Sequence, residues 1–558
     1  MEWNVKVCFL NYLVSASVLC VYSRNIVMNH RVGHKTLHNP QEDPWKFFEN
    51  VPEASAPRLQ VARAARVPGP PASPRKVFDE RNSDHWRMQA QWVLKLKVAA
   101  PLNTRVAKNV ILFLGDGMSV ATLAATRTYL GNRHGYSGEE LKLSFEAFPY
   151  TGLAKTYCVD NNVADSACSG TAYLSGVKAN SGTVGLSGAV RKGDCEAQRT
   201  GKHSVTGVID WAQRVGKATG VVTTTRVTHA TPAAAYAHSA DRRWESDADV
   251  PAGVHCEDIA SQLVRGSVGS KIDVVLGGGR RNFYPDTEKD TDGVSGHRKD
   301  KKNLIKEWMK KKESLGAKPK YVHDKKGLMK LNETQFNSVL GLFSSEHMPY
   351  HLEANEDVYP TLTEMTLKAI DVLKKKKEGF FLFVEGGRID TAHHETKARK
   401  ALDETAELAK AVEAAMKEVD PEDTLIVVTS DHSHTMTYNG YSKRGSDILG
   451  FVNKQNASDS LPYTTLSYAT GPGYKTNDNN YLRHNLLDDD LSSANYTYPS
   501  LFPLGRETHG GEDVAVFARG PWAHLFTGNY EQNYLPHALA FAACIGDGFT
   551  ACNLQYSF

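Results

Sequence analysis

The chain has 558 residues, with a hydrophobic content of 41% and a charged content of 23%, which are ordinary values for a globular protein. The formal net charge of +3 is close to balance at this length, so it gives no reason to expect a nucleic acid or an anionic membrane as a partner. A chain this long can bury a large core, as one domain with insertions or as two domains.

Residues 1–23 have the pattern of a secretory signal peptide. An apolar stretch from about Val7 to Val21 follows one lysine and precedes small and polar residues. It is shorter than the roughly 20 apolar residues that a membrane span requires, and a short retained anchor is the alternative. Sequons fit the same secreted route, as expected for a glycoprotein; they begin at Asn332, Asn456 and Asn495.

Residues 24–80 are dotted with Pro and Arg and indicate a flexible extension. The predicted core, residues 81–440, then begins with a helix that Ser83 or Asp84 can cap. Continuous apolar, β-branched runs follow, typical of strands covered on both faces: NVILFLGDG, ATGVVTTTRVTHATP, IDVVLGGGR, GFFLFVEGGRID and DTLIVVTSDHSH. Helical patterns separate these runs, so we predict an α/β fold with a doubly wound, mostly parallel central sheet flanked by helices.

Residues 441–507 interrupt this pattern. They are rich in Asn, Asp, Ser, Tyr and Gly and have little periodicity, which indicates an inserted surface subdomain. The apolar pattern resumes at EDVAVFARG, so residues 508–558 are expected to complete the core. The chain ends without an apolar tail, and we therefore expect neither a transmembrane segment nor a GPI anchor at that end.

Acids and histidines lie at the ends of the predicted strands. They are Asp116, Glu385, Asp390, Asp431, His432 and His509. Any one acid could simply cap the following helix. Ligands of parallel sheets bind beyond the carboxyl ends of the strands, where these side chains would meet, and carboxylates crowded there need a cation.

The spacing of Asp390 and His394 points to metal binding. Because they are four residues apart on a predicted helix, they share one face, and imidazole nitrogen with carboxylate oxygen is a ligand set that suits zinc. The pair alone is weak evidence, since such pairs are common on solvated helices. Together with Asp431, His432 and His509, it predicts two metal positions.

Ser166 is the candidate nucleophile. It precedes small residues that can begin a helix, so its hydroxyl would lie at a helix N-terminus, which attracts anions. An ordinary helix cap is the alternative. No Gly-x-Ser-x-Gly elbow surrounds Ser166, but a nearby metal could deprotonate its hydroxyl.

Arg242 and Arg243 offer a guanidinium that matches two phosphate oxygens, unless they are simply a surface pair.

These segments together resemble the alkaline phosphatase family, in particular its animal secreted branch, from about His85 to Cys552. The motifs that carry the resemblance are NVILFLGDGM, ADSACSGTAYLSGVK, VVTTTRVTHATPAAAYAH, DVVLGGGR, FFLFVEGGRID, TSDHSH and ETHGGEDVAVFARGP. The resemblance implies a secreted phosphomonoesterase that acts at alkaline pH on small phosphate monoesters and binds inorganic phosphate. It also implies a homodimer, with the N-terminal helix and the crown-like insert at the interface.

The resemblance further implies two zinc ions and one magnesium ion per chain. The ligands would be Asp390, His394 and His509 for one zinc; Asp116, Asp431 and His432 for the second; and Asp116, Thr231 and Glu385 for the magnesium. Ser166 would be the nucleophile that becomes a phosphoserine. Arg242, rather than Arg243, would bind the phosphate, and His229 would lie near the magnesium.

Four positions differ from the family pattern or add to it. Thr391 stands where animal members usually have a histidine, so the surroundings of the metals are expected to differ. Ser344 and Tyr359 stand at two positions of a calcium site found in many animal members, which argues against calcium here. We hypothesise that His434 orients a zinc-ligand carboxylate, Asp390, through a hydrogen bond.

The family pattern also suggests how the cysteines pair, which spacing alone does not determine. It implies two disulfides, Cys195–Cys256 and Cys544–Cys552. Cys158 and Cys168 would then be free thiols.

Two other functions are compatible with parts of the pattern. A sulfatase or phosphodiesterase of the same superfamily is one, but SACSG lacks the Cys-x-Pro-x-Arg-like context of a sulfatase. A diesterase usually lacks the third metal site, which Thr231 and Glu385 would complete here. A non-catalytic protein that keeps the metal ligands as a scaffold is the other, although no expected ligand, nucleophile or arginine is missing.

Overall fold

The computed structural model describes residues 80–453, 456–475 and 483–554. The predicted signal peptide, 1–23, and residues 24–79 of the predicted extension lie outside the described residues. The strands in the described part are β1 (Asn109–Gly115), β2 (Tyr150–Lys155), β3 (Ala218–Arg226), β4 (Val274–Gly278), β5 (Pro319–Val322), β6 (Ser338–Leu342), β7 (Phe380–Gly386), β8 (Thr424–Ser430), β9 (Ser433–His434), β10 (Met436–Tyr438), β11 (Leu466–Gly471), β12 (Ser500–Pro503), β13 (His509–Gly510), β14 (Val514–Arg519) and β15 (Gly528–Glu531).

The helices in the same residues are α1 (Ser83–Ala99), α2 (Val120–Arg133), α3 (Ser166–Ser175), α4 (Cys195–Arg199), α5 (Val208–Arg214), α6 (Ala230–Ala233), α7 (Ile259–Arg265), α8 (Leu304–Ser314), α9 (Lys325–Met329), α10 (Leu362–Leu373), α11 (Arg388–His394), α12 (Ala398–Glu418), α13 (Tyr534–Ala543) and α14 (Ala551–Leu554). Short 3₁₀ helices span Ser144–Ala147, Asp247–Asp249, Gly269–Lys271, Arg280–Phe283, His351–Glu353, Leu486–Asp488 and Ala523–Phe526. None of the helices in the described residues is both long and apolar enough to cross a membrane.

The main sheet has ten strands in the order β15-β2-β14-β8-β1-β7-β3-β4-β6-β5. The strands from β8 to β5 are parallel, whereas β14 runs antiparallel to both of its neighbours, β8 and β2. The predicted α/β fold with a mostly parallel central sheet is therefore confirmed.

The central strands are buried on both faces, as their continuous apolar sequences predict. In β1, Leu112 and Leu114 point into one hydrophobic core, whereas Ile111 and Phe113 point into a second core on the other face. This alternation follows from the two-residue period of a strand. Helix α13 covers the first face and α12 the second, so the sheet is enclosed and its carboxyl edge remains as the place for a site.

Residues of the predicted insert, 441–507, pack on helices of the core through a small hydrophobic cluster. Strand β11 pairs with β10 and β12 in a three-stranded sheet. Leu466 and Tyr498 are buried with Tyr129 of α2 and Leu402 of α12. This contact places the end of the insert beside α11, which carries two of the predicted metal ligands.

Three disulfides are present in the described residues. Cys195–Cys256 and Cys544–Cys552 are confirmed. The prediction that Cys158 and Cys168 are free was wrong, because they form the third bond. The chain after β2 turns back onto α3 and brings the two Cα atoms to 5.8 Å, within the range for a disulfide. The spacing of the cysteines in the sequence does not show that the loop after β2 folds back against α3.

Candidate active site

Neighbouring strands bring predicted ligands to one edge of the sheet. Gly115, the last residue of β1, pairs with Gly386 of β7 and with Ser430, the last residue of β8. Asp116 and Asp431, which follow Gly115 and Ser430, therefore lie side by side at the carboxyl edge. This is where ligands bind in open α/β sheets.

The backbone after β1 depends on a glycine. Gly117 has a φ of 69°, and an added Cβ would lie 2.3 Å from the His434 ring. Its N–H donates to Asp431 Oδ1 at 2.9 Å. The close approach of backbone to ring explains why a glycine follows Asp116 in the GDG sequence.

Asp390, His394 and His509 converge as predicted. His394 Nδ1 donates to the Glu507 carbonyl at 2.6 Å, and His509 Nδ1 donates to the Ala164 carbonyl at 2.7 Å. A carbonyl can only accept, so in neutral rings both Nε2 atoms present lone pairs. These two atoms are 3.2 Å apart and lie 3.3 and 3.2 Å from Asp390 Oδ1. Burial lowers the pKa of His394 to about 4, which keeps its ring neutral.

Three acceptors facing one another repel unless a cation lies between them. Two imidazole nitrogens and one carboxylate oxygen form a donor set that fits zinc.

Asp116, Asp431 and His432 form a second group, fully buried. His432 Nε2 lies 3.1 Å from Asp431 Oδ2 and 3.5 Å from Asp116 Oδ1. Burial lowers the pKa of His432 well below its ordinary value. The pKa of Asp116 is instead raised well above its ordinary value, because the carboxylate is buried and is repelled by Asp431. The Ser166 hydroxyl lies 3.2 Å from His432 Nε2. This group also fits a cation, next to the candidate nucleophile.

A third group extends from Asp116 toward β7. Potential ligand atoms of Asp116, Glu385 and His229 lie within 4.8 Å of one another, and Thr231 Oγ1 lies 3.3 Å from Asp116 Oδ2. Asp116 Oδ1 and Glu385 Oε1 are buried without a hydrogen bond among the described residues. Burial raises the pKa of Glu385 to about 7. Carboxylate and hydroxyl oxygens are ligands that magnesium accepts, so these residues fit that ion.

Ser166 is the first residue of α3, so its hydroxyl lies at the positive end of that helix. Arg242 NH1 donates to Asp165 Oδ2 at 2.9 Å, and Arg242 NH2 donates to His229 Nε2 at 3.1 Å. The Arg243 side chain, by contrast, is 76% exposed and pairs with Asp241. Ser166 and Arg242 line one cavity of about 790 Å³, together with Asp390, His394 and His509. The cavity can therefore hold an anion between the serine, the arginine and the metal ligands.

His434 differs from the other two histidines of the first group. Its Nε2 donates to Asp390 Oδ1 at 2.8 Å, as hypothesised, and its Nδ1 donates to Glu507. Although burial opposes charge on the ring, Glu507 and Asp390 raise the pKa of His434 to about 10. Both nitrogens of a charged imidazole are donors and neither can bind a metal. His434 is therefore hydrogen bonded to Glu507 and Asp390 through both ring nitrogens, an arrangement that favours a role in orienting Asp390.

Thr391 turns away from the metal groups. Its hydroxyl donates to the Gly387 carbonyl, 3.5 Å away in the preceding turn of α11. The neighbouring His393 also faces away and is hydrogen bonded to Thr122 at 3.0 Å and Tyr468 at 2.9 Å.

Two residues of the site were missed in the sequence. Glu507 binds His434 through its carboxylate and His394 through its carbonyl, and it also accepts from Thr435 N at 2.7 Å. Asp165 is the N-cap of α3, where its side chain accepts from Cys168 N, and it also accepts from Arg242. The one available signal for Glu507 was an acid two residues before His509, which alone does not identify its partner.

Comparisons with known proteins identify the family of the chain. The family model for alkaline phosphatase matches residues 107–545. A membrane-bound alkaline phosphatase of Bombyx mori is 46% identical over 481 residues, which are 85% of this chain and 87% of that protein. The tissue-nonspecific isozyme of Gallus gallus is 47% identical over 483 residues, and the human isozyme is 45% identical over 487. Each of these two alignments covers 85% of this chain; the first covers 92% of the Gallus gallus protein and the second 91% of the human protein.

Solved structures share the fold at lower identity. The Thermus thermophilus alkaline phosphatase superposes with a TM-score of 0.57 at 23% identity, covering 85% of this chain and 99% of that one. The enzyme of the Antarctic bacterium TAB5 gives a TM-score of 0.55 at 22% identity, covering 80% and 100%. The sequence relatives span most of the chain, and the family model spans every residue of the three candidate metal groups. The chain therefore belongs to the alkaline phosphatase family of phosphomonoesterases.

Proposed function

We propose that the chain hydrolyses phosphate monoesters at alkaline pH through a phosphoserine on Ser166, with two zinc ions and one magnesium. The observation that carries this proposal is the position of the Ser166 hydroxyl, which lies 3.2 Å from His432 Nε2 of the second group and in the cavity that Arg242 also lines. When bound, the metals would supply positive charge that stabilises the oxygens entering and leaving phosphorus.

The three groups would hold the three ions. Asp390, His394 and His509 would hold one zinc, and Asp116, Asp431 and His432 the other. Asp116, Thr231 and Glu385 would hold the magnesium, with His229 close by. Support comes from the convergence of imidazole nitrogens and carboxylate oxygens within each zinc group, and from the Asp116 and Glu385 oxygens that have no hydrogen bond among the described residues.

The reaction would proceed in two displacements at phosphorus. The Ser166 oxygen forms a bond to phosphorus as the bond to the ester oxygen breaks, and the alcohol leaves. Water then breaks the bond between phosphorus and the serine oxygen and releases inorganic phosphate. Arg242 would bind two phosphoryl oxygens through its guanidinium, which Asp165 orients, while the N-terminus of α3 favours the anion.

The proposal predicts hydrolysis of an aryl phosphate monoester at alkaline pH that a chelator abolishes and that zinc with magnesium restores. The reason is that the carboxylates of the site repel one another and the phosphate when no cation is present. Activity should be measured side by side on an aryl monoester, an aryl diester and an aryl sulfate. Preference for the diester or the sulfate would indicate one of the related enzyme classes, and activity that resists the chelator would contradict metal dependence.

Arg242→Ala is expected to raise the Ki of inorganic phosphate and the KM of the monoester by roughly 10- to 100-fold, because a buried charge-assisted contact to phosphate is lost. Arg243→Ala is the matched control: Arg243 also lines the cavity, but its side chain is exposed and its guanidinium is bound to Asp241, so both constants should change by less than about twofold. Competitive inhibition by inorganic phosphate measures the effect. Equal changes in the two variants would contradict the assignment of Arg242.

The same proposal includes secretion as a glycoprotein. Three disulfides are typical of an oxidising compartment, and the asparagines of the three sequons, Asn332, Asn456 and Asn495, are exposed. A loss of mass after glycosidase treatment of the secreted protein tests this part.

We also infer a homodimer that uses α1. The helix buries none of its residues, and it exposes large apolar side chains, with Leu94 and Leu96 each 53% accessible. Apolar area of this kind is favourable to bury in an interface. A monomeric mass in solution would contradict the dimer.

A further inference from the structure

The disulfide that the sequence did not indicate lies directly beside the nucleophile. Cys168 is the third residue of α3, two residues after Ser166, and Cys158 lies three residues after the end of β2. The bond therefore closes a ten-residue loop onto the first turn of the helix that carries Ser166.

Three consecutive residues of this loop and helix contact three different parts of the site. The Ala164 carbonyl accepts from His509 Nδ1 at 2.7 Å. Asp165 Oδ2 accepts from Arg242 NH1 at 2.9 Å, and the Ser166 hydroxyl lies 3.2 Å from His432. The path of the chain at 164–166 thus fixes the relative positions of three groups: the proposed zinc-binding imidazole, the proposed phosphate-binding guanidinium and the nucleophile.

Little apolar packing holds the loop in this path. Residues 159–163 are all exposed. The buried cluster beneath them consists of Cys158, Ala164, Cys168 and Ala179, so apart from the two sulfurs it contains only alanine side chains. Two methyl groups bury little area, and their hydrophobic contribution is correspondingly small.

Backbone hydrogen bonds add to the attachment of the loop. Val159 N donates to Ala179 O at 2.9 Å, and Gly182 N donates to Asp165 Oδ1 at 2.9 Å. Both bonds connect the loop to residues 179–182, whereas the disulfide connects it to α3. The loop enters α3 through the Asp165–Ser166 peptide bond, and Asp165 Oδ1 caps the helix by accepting from Cys168 N at 3.3 Å. The disulfide is therefore a second covalent connection, which ties the start of the loop to the first turn of the helix that presents Ser166.

We propose that the Cys158–Cys168 disulfide positions the active site, by keeping Asp165 against Arg242 and Ala164 against His509. The inference rests on the proposed function, in which Arg242 binds the phosphoryl group. Loss of the bond then weakens phosphate binding and turnover, because small displacements of groups that orient a substrate lower the rate strongly. It does so in addition to the loss of stability that any disulfide removal causes.

The molecule contains a matched control for this proposal. Cys544–Cys552 closes a loop of nearly the same size, with a sequence separation of 8 against 10, and it connects α13 to α14 away from the cavity. Because the entropic stabilisation by a disulfide depends on loop length, removing either bond should lower Tm by a similar amount. An effect confined to one of them is then not a consequence of stability.

The experiment compares Cys158→Ser/Cys168→Ser with Cys544→Ser/Cys552→Ser, both assayed in excess zinc and magnesium. The first variant is expected to raise the Ki of inorganic phosphate and lower kcat/KM by about tenfold or more, and the second to change each by less than about twofold. Hydrogen exchange should become faster in residues 157–169 of the first variant only. Should the serine pair not fold, the alanine pair, which preserves the small apolar cluster, gives the same readouts.

The positioning role would be overturned by either of two results. One is an equal change of Ki and kcat/KM in both double variants. The other is a Cys158→Ser/Cys168→Ser variant in which the Ki of phosphate and the rate of hydrogen exchange are both unchanged. Arg242→Ala, measured in the same series, separates this result from a failure of the proposed function. If Arg242→Ala leaves the Ki of phosphate unchanged, the assignment of the phosphate site is wrong. If it raises Ki while the Cys158→Ser/Cys168→Ser variant does not, only the role of the disulfide is wrong.

Discussion

Replacing Ser166 by alanine is expected to lower kcat by on the order of a thousandfold or more, because the variant cannot form the covalent phosphoserine. The metal groups should persist, since Ser166 contacts His432 without completing that cluster of acceptors. Incubation of the wild type with labelled phosphate at mildly acidic pH, followed by quenching in acid, should give one labelled serine, and the variant should give none.

Ser169→Ala provides the control in the same helix. Its hydroxyl donates to the Asp165 carbonyl at 2.9 Å and lies 3.5 Å from Asp431 Oδ2, so it is buried beside the same groups without facing the cavity. This variant should retain kcat within about tenfold and should still be labelled. Retention of wild-type turnover by Ser166→Ala, or an unlabelled wild type, would exclude the phosphoserine route.

The second large effect is expected in the zinc content of two histidine variants. His432→Ala should lose about one zinc per chain, because three protein ligands to zinc become two. His434→Ala should retain the full zinc content at saturating metal and bind zinc roughly 10- to 100-fold more weakly, as when an orienting partner of a ligand is removed. Zinc measured after gel filtration, and again after titration with a chelator, distinguishes the two outcomes.

His393→Ala is the control for removal of a buried histidine from the same region. It lies next to His394 but is hydrogen bonded to Thr122 and Tyr468, so zinc content and affinity should remain those of the wild type. Loss of a full equivalent of zinc from His434→Ala would show that this residue is a ligand. Unchanged zinc in His432→Ala would remove the second zinc group from the proposal.

The features that the sequence determined by itself are local ones. The apolar runs predicted the central strands because a strand buried on both faces leaves no polar alternation, and β1, β7 and β8 are such strands. The convergence of the acids and histidines at the ends of these strands was predicted as well, because the carboxyl ends of parallel strands meet at one edge of the sheet. The spacing of Asp390 and His394 placed both on one face of α11 before any partner was known.

The tertiary structure decided which partner each polar group has. His394 and His434 are chemically identical in the sequence, yet the Nδ1 of His394 meets the backbone carbonyl of Glu507, which leaves its Nε2 facing Asp390 and His509, whereas the Nδ1 of His434 meets the Glu507 carboxylate. The partners come from chain segments far apart, and no periodicity encodes them.

The same reason applies to the neighbouring arginines and to the cysteines. Arg242 and Arg243 are adjacent and both line the cavity, but the fold pairs Arg242 with Asp165, next to Ser166, and Arg243 with Asp241. Cys158 and Cys168 pair because the loop after β2 returns to α3, and such a return depends on the packing of the whole domain. Residue type and spacing therefore determined what chemistry is present, whereas the convergence of distant segments determined which residue performs it.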